Sequence, residues 1–307
     1  MATSVRAFTA AFAVVVLGAA CGNTGSPARD LKGREQPIVI ASFDFSESKI
    51  LGEIYARALE QGGFPIERLP GVATREIMEP ALEQGQVDLV LEYLGSSLAF
   101  LDGSGRAPSQ PEVAYEKLSL ALSGRGLAAL DFARAQDRNE IVVTAATAAR
   151  YELRSISDLR AIAAELDFGG PPECPARPLC LQGLERTYEL SFRSFVSLDA
   201  SGPLTVGALE TGDVDVALLF STHPAIAGER LVVLEDDLGL QPAENIVPVV
   251  RSEIVRRFGA GLTSVIDSVT ARLTTGALAR LNQQVDVGGQ DPALVAREWL
   301  EQEGLLR

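Results

Sequence analysis

Two stretches, ALEQGQVDLVLEY (residues 81–93) and ALETGDVDVALLF (residues 208–220), decide how this chain is read. Both run Ala-Leu-Glu-x-Gly-x-Val-Asp, then an apolar segment, then an aromatic ring. The first part has the composition of a helix end. The Gly that follows stops the helix, because Gly takes the left-handed conformation without steric cost. The apolar segment after Val-Asp is short enough to be a buried strand. Helix, Gly and strand, written once in each half of the chain, predict two equivalent α/β units. In such sheets ligands bind beyond the carboxyl ends of the strands. Tyr93 and Phe220 end the two strands, so each unit offers one ring to a shared cleft. The alternative is that both rings are core side chains.

The same alternation continues outward. IVIAS (Ile38–Ser42) is a strand, and FDFSES is a loop in which Ser46 or Ser48 can cap a helix. Ile50, Leu51, Ile54, Tyr55, Ala58 and Leu59 fall on one helical face, and Gly62 and Gly63 end it. IERLP is a second strand, and Thr74–Gln84 a helix. In the second half, IVVTA, LDFGG, FVSL, LVVLEDD and NIVPVVR read as extended, and Leu181–Tyr188 as helical. Ser252–Thr274, Gly276–Asn282 and Pro292–Gly304 read as helices. Strands alternating with helices predict mostly parallel sheets covered on both faces.

At 307 residues, with 47% hydrophobic and 22% charged residues, the chain can bury cores for two lobes. A net charge of -14 and the lack of a basic stripe argue against nucleic-acid binding. At the N-terminus, Arg6 precedes an apolar run from Phe8 to Leu17, then Gly-Ala-Ala and Cys21. That is the layout of an export signal over residues 1–20. The run is shorter than the ~20 residues a permanent span needs. Small residues directly before Cys21 resemble a lipobox, whose Cys is acylated. Gly18 and Leu17 depart from the usual order, and an ordinary signal peptide with an incidental Cys is the alternative. Residues 21–37, rich in Gly, Pro and charge, read as a flexible tether. The expected location is therefore outside the cell membrane, held to its outer face by lipid alone. In an oxidising compartment Cys174 and Cys180 are expected to form a disulfide. A metal site is the rival, but it needs about four ligands and the chain has one His, so none is expected.

Reactive chemistry is scarce. There is no Gly-x-Ser-x-Gly elbow, and DGSGR (Asp102–Arg106) lacks the spacing of a phosphate loop. His223 sits before Pro224, in a polar turn or on the cleft. Glu235-Asp236-Asp237 is a solvated acidic turn, a cap or a cation site. Asp88 and Asp215 begin the two repeated strands, at the end away from the cleft, and read as structural. The chain is not expected to be an enzyme or to carry a cofactor.

FDFSESKILGEIYARALEQGGF, GVATREIMEPALEQGQVDLVLEYLGSSL, SISDLRA, LDFGGPPEC, LETGDVDVALLFST, LVVLEDD and VPVVR resemble, in this order, the OpuAC/ProX-type substrate-binding proteins of ABC importers for glycine betaine, choline and carnitine. The resemblance runs from about Ile38 to Leu306. It implies a type II periplasmic-binding-protein fold, two α/β lobes joined by a hinge around a ligand cleft. Lobe 1 is expected over 38–138 and 244–307, and lobe 2 over 139–243. It implies a monomer that captures a small quaternary amine or related osmoprotectant and delivers it to a permease and its ATPase. The alternative function is a ligand-sensing or scaffold lipoprotein without a transport role.

The resemblance also implies a cage of aromatic rings, which attract a cation that cannot donate hydrogen bonds. The family's first cage Tyr is matched by Tyr93, and Ser96 keeps a hydroxyl for a ligand carboxylate. A second ring position is held by Asn139, after Asp137, and a third by Phe220. The fourth falls at Glu244 or Asn245. Phe43 stands where a Lys is usual, and Arg177 matches an Arg that holds the ligand carboxylate. With the rings only partly kept and Asp137 and Glu244 acidic, the scaffold carries over better than the cargo.

Overall fold

The computed structural model describes residues 36–72, 74–103 and 106–306. The expected signal segment, Cys21 and most of the tether lie outside the described residues. The first sheet is built from β1 (Ile38–Phe43), β2 (Ile66–Val72), β3 (Leu89–Tyr93) and β4 (Leu127–Ala129). The second is built from β5 (Asn139–Thr144), β6 (Asp167–Gly170), β7 (Ser194–Ser197), β8 (Val216–Phe220) and β9 (Leu231–Val233). The chain then returns, and β10 (Ile246–Arg251) joins the first sheet. The strand orders are β2-β1-β3-β10-β4 and β7-β6-β8-β5-β9.

The helices between these strands are α1 (Ser46–Gln61), α2 (Arg75–Glu83), α3 (Leu94–Asp102) and α4 (Pro111–Ser123) in the first unit, then α5 (Ala145–Tyr151), α6 (Leu181–Tyr188) and α7 (Pro203–Thr211) in the second. The chain closes with α8 (Ser252–Phe258), α9 (Ala260–Thr270), α10 (Thr275–Asp286) and α11 (Pro292–Gln302). One face of the first sheet packs Ile50, Ile54 and Tyr55 of α1 against Leu262, Leu278 and Trp299 of the last helices. The other face packs Met78, Leu98 and Leu118. In the second sheet Phe168, Leu184 and Tyr188 fill one side, and Leu209 and Val214 the other. Apolar material on both faces of both sheets makes two separate cores, and so two lobes.

The sheets are less parallel than the alternation predicts. β10 runs antiparallel to both β3 and β4, and β5 antiparallel to both β8 and β9. The reason is the crossing point. The chain passes between the lobes twice, side by side, where Gln136 pairs with Asn245. Asp137 N–H donates to the Glu244 carbonyl at 3.0 Å, beside that pair. A strand that enters a sheet from this hinge starts at the carboxyl ends of its neighbours and must run against them.

Other differences are local. Neither Ser46 nor Ser48 caps α1 through its side chain; Phe45 holds the cap position. Ser48 Oγ instead accepts the Phe43 N–H at 2.8 Å, which ties the loop back onto β1. The helix expected over Ser252–Thr274 is broken at Gly259, whose φ of 64° only Gly adopts readily. Helix α3 follows Tyr93 without a loop, which the apolar run into LGSSL conceals in sequence.

Candidate functional site

Between the lobes lies a cavity of about 420 Å³. Its walls come from the carboxyl ends of β1, β3 and β8 and from the Cys-bounded loop of the second lobe. Cys174 and Cys180 are joined by a disulfide, with their Cα atoms 5.3 Å apart, and both line the cavity. The short covalent loop holds Arg177 towards the first lobe.

The two repeated phrases deliver their rings to equivalent places. Tyr93 pairs with Ile246, the first residue of β10, and Phe220 pairs with Asn139, the first residue of β5. Each ring thus ends a central strand where the hinge enters that sheet. Phe45 stands between them, a residue that sequence reasoning passed over. Its ring is 5.2 Å from Phe220, edge-on, and 6.2 Å from Tyr93. Both distances lie in the range where aromatic edges and faces attract. Phe45 and Tyr93 come from the first lobe and Phe220 from the second, so the three-ring cluster spans the cleft.

Phe43 lines the cavity, but its ring carries the Arg75 guanidinium at 5.4 Å. Arg75 is itself held by Glu92 through two bonds of 2.8 and 2.7 Å. That fork-to-fork geometry fixes the guanidinium in a plane. Asn139 lines the cavity and donates Nδ2–H to the Leu179 carbonyl at 3.3 Å. Arg177 stacks over Phe100 at 5.3 Å and bonds Glu76 of α2 at 2.9 Å, bridging the cleft mouth.

Ser96 is on the wall, with its hydroxyl donated to Glu244 at 2.7 Å. Glu244, expected at the site, stands apart from the cavity wall. It is 1% exposed, lies behind Ser96 and does not border the cavity. Burial pushes its carboxyl up to about 7, against the lowering effect of the Ser96 bonds. Asp137 does border the cavity, and burial raises its carboxyl well above the usual range, helped by repulsion from Glu47. Glu47 was the second residue missed. It is buried in the first turn of α1 and accepts the Tyr93 hydroxyl at 2.9 Å.

The remaining acidic and His candidates serve turns. His223 Nδ1 accepts the Ala225 N–H at 3.1 Å, and burial lowers its pKa. Asp236 accepts the Leu240 and Gln241 N–H groups at 2.8 and 2.7 Å and the Tyr188 hydroxyl, which makes it a cap. Among the described residues no cluster of His, Cys, Asp and Glu has the arrangement of a metal site. No described helix is long and apolar enough to cross a membrane.

Residues 36–302 match the family described as the substrate binding domain of ABC-type glycine betaine transport systems. The chain belongs to that family. Relatives include the ergothioneine transport permease/ergothioneine binding protein EgtU of Helicobacter pylori, 28% identical over 88% of this chain and 48% of that protein. The chain therefore spans about half the length of that relative. It is also similar to a glycine-betaine-binding protein of Pseudomonas aeruginosa, 28% identical over 85% of this chain and 86% of the relative. A crystal structure described as a glycine betaine/carnitine/choline ABC transporter superposes with a TM-score of 0.68 at 26% identity, covering 87% of this chain and 99% of that one. The fold of the family is the two-lobed periplasmic-binding-protein fold, and its members are extracytoplasmic binders of transported substrates rather than enzymes.

Proposed function

We propose that this protein captures a small quaternary amine, or a zwitterion carrying one, in the cavity between its lobes and hands it to an ABC permease driven by an ATPase. The observation that carries this reading is the ring cluster of Phe45, Tyr93 and Phe220, assembled from both lobes around the cavity. A quaternary ammonium has no N–H to donate, so polar acceptors gain little from it. Ring faces hold it by their quadrupole, at about 0.5–2 kcal/mol each. Asp137 adds a carboxyl on the same wall, and Arg177 faces the cavity from the second lobe as the partner for a ligand carboxylate. Nothing in this set of residues forms a nucleophile with its base, which supports binding without catalysis.

The remaining parts of the reading follow the same logic. Residues 1–20 direct export, Cys21 carries the lipid, and 21–37 tether a monomer to the outer face of the membrane. Lobe 1 comprises 38–138 and 244–307, and lobe 2 comprises 139–243, because the chain crosses at the Gln136–Asn245 bridge. The test is a thermal-shift and calorimetric panel of quaternary amines, betaines and polyols. Quaternary amines are expected to stabilise the protein, and Tyr93→Ala and Phe220→Ala to weaken their binding by about 1–2 kcal/mol each. A panel that leaves the melting temperature unmoved overturns the ligand class. Unchanged affinity in both variants removes the rings from the site.

A further inference from the structure

Behind the ring cluster, at the hinge, two carboxyl groups meet away from water. Glu47, from α1, and Asp137, from the first crossing segment, are 3% and 6% exposed. Thr222, two residues beyond Phe220, reaches both. Its Oγ1 lies 2.6 Å from a Glu47 oxygen and 2.9 Å from Asp137 Oδ1, while Asn282 Nδ2 donates to it at 2.9 Å. A hydroxyl has one proton to give, so it satisfies one of the two carboxyls and the other contact needs a proton from a carboxyl. The Tyr93 hydroxyl donates to Glu47 at 2.9 Å, and Asn282 Nδ2 at 2.9 Å. The Thr222 N–H donates to Asp137 at 2.9 Å.

The network joins both rings. Glu47 holds Tyr93 directly and holds Phe220 through Thr222, across the cleft. We propose that Glu47 and Asp137 share one proton and act as a positioning pair that clamps the closed cleft and sets the distance between its rings, so that closure and ligand retention weaken as pH rises. The consequence for the ligand rests on the reading of the cleft given above; the clamp itself does not.

The sign follows from linkage. Burial raises both carboxyls in the closed form, Asp137 further by repulsion from Glu47. Opening returns them to water and to ordinary carboxyl values near ~4. The closed form therefore binds the extra proton. Its advantage is complete below the ordinary range and is lost as pH rises through the raised values. Other ionisable groups face the pair. Asp44, Lys49, Asp199, His223 and Asp286 share the small cavity beside Glu47, and Glu92 acts on Tyr93. His223 spends its Nδ1 on the Ala225 N–H, and burial lowers its pKa.

The test is small-angle scattering of the full-length, ligand-free protein between pH 5 and 9. The wild type is expected to be compact at pH 5 and to expand as pH rises. Asp137→Asn keeps an acceptor for Thr222 and gains a permanent donor towards Glu47, so it should stay compact at every pH. Glu47→Ala removes the clamp and should be expanded throughout. A second arm measures choline binding, because choline's charge does not change in this range. Wild-type affinity should fall about tenfold from pH 5 to 9, and the Asp137→Asn profile should be flat. A wild-type scattering profile that is flat with pH, or an Asp137→Asn protein as open as Glu47→Ala, overturns the proposal. Absence of choline binding with the scattering response intact counts against the ligand class alone and leaves the clamp standing.

Discussion

The two copies of the repeated phrase agree up to the ring and part company after it. In both, a helix stops at a Gly with positive φ, 74° at Gly85 and 79° at Gly212. In both, the Asp of Val-Asp closes the far end of the sheet: Asp88 accepts the Val39 N–H and Asp215 the Asp167 N–H, each at 2.9 Å. In both, the ring lies opposite the first residue of the hinge strand. Beyond the ring, the first copy turns straight into α3. Its Gly95 lies so close to the returning chain that an added Cβ would stand 2.2 Å from Pro242. The second copy enters a turn, and Thr222, at the place corresponding to Gly95, reaches across to Glu47 and Asp137. The shared part builds the frame. The two residues that follow decide whether that lobe packs against the hinge or grips the other lobe.

The largest expected effect comes from breaking the first copy's close approach. Gly95→Ala drives a methyl into Pro242 and the Ala243 carbonyl, neither of which is the end of a flexible side chain. Loss of about 3 kcal/mol is expected in denaturant unfolding; Thr222→Ala, at the corresponding place, should cost no more than about 1 kcal/mol. Equal losses would erase the distinction between the copies. Next comes Phe45, the ring that belongs to neither copy and touches both. Phe45→Ala should weaken choline binding by about 2 kcal/mol, or roughly thirtyfold, in calorimetry. An effect smaller than that of either phrase ring would move the centre of the site away from Phe45.

Tyr93→Phe makes the rings of the two copies chemically alike. It leaves the cage face intact but deprives buried Glu47 of a donor. A loss of about 1 kcal/mol in stability is expected, with little direct change in contacts to a cation. The smallest effect belongs to the bridge at the cleft mouth. Glu76 is half exposed, so Glu76→Gln should change closure by about 0.5 kcal/mol, and less in high salt. A larger, salt-insensitive effect would make that bridge a principal latch.

Much of the frame was legible because periodicity and Gly stops are local signals. Strands β1, β3, β6 and β8 and helices α1, α2 and α6 all follow from them. The antiparallel direction of β5 and β10 was not legible, because it depends on where the chain crosses between lobes. Of the site, Tyr93, Phe220, Asp137, Asn139, Ser96, Phe43 and Arg177 all reach the cavity wall. Glu244 does not; it is buried and bonded to the Ser96 N–H and hydroxyl. Phe45 and Glu47 carried a weak signal: a second Phe in FDFSES, and an acid in the first helical turn. The helix-start reading absorbed both. Thr222 was read only as part of the LFST segment, because its role is set by atoms from the other lobe.

The central claim is that the rings recognise positive charge and not merely bulk. Titration calorimetry with choline and with its neutral isostere, 3,3-dimethylbutan-1-ol, tests this most directly. The two differ only in nitrogen or carbon at the centre of the same methyl cluster. The account predicts at least a tenfold preference for choline, about 1.4 kcal/mol. Equal affinity for the two would contradict it, and would make the cavity an apolar pocket that happens to be lined with rings.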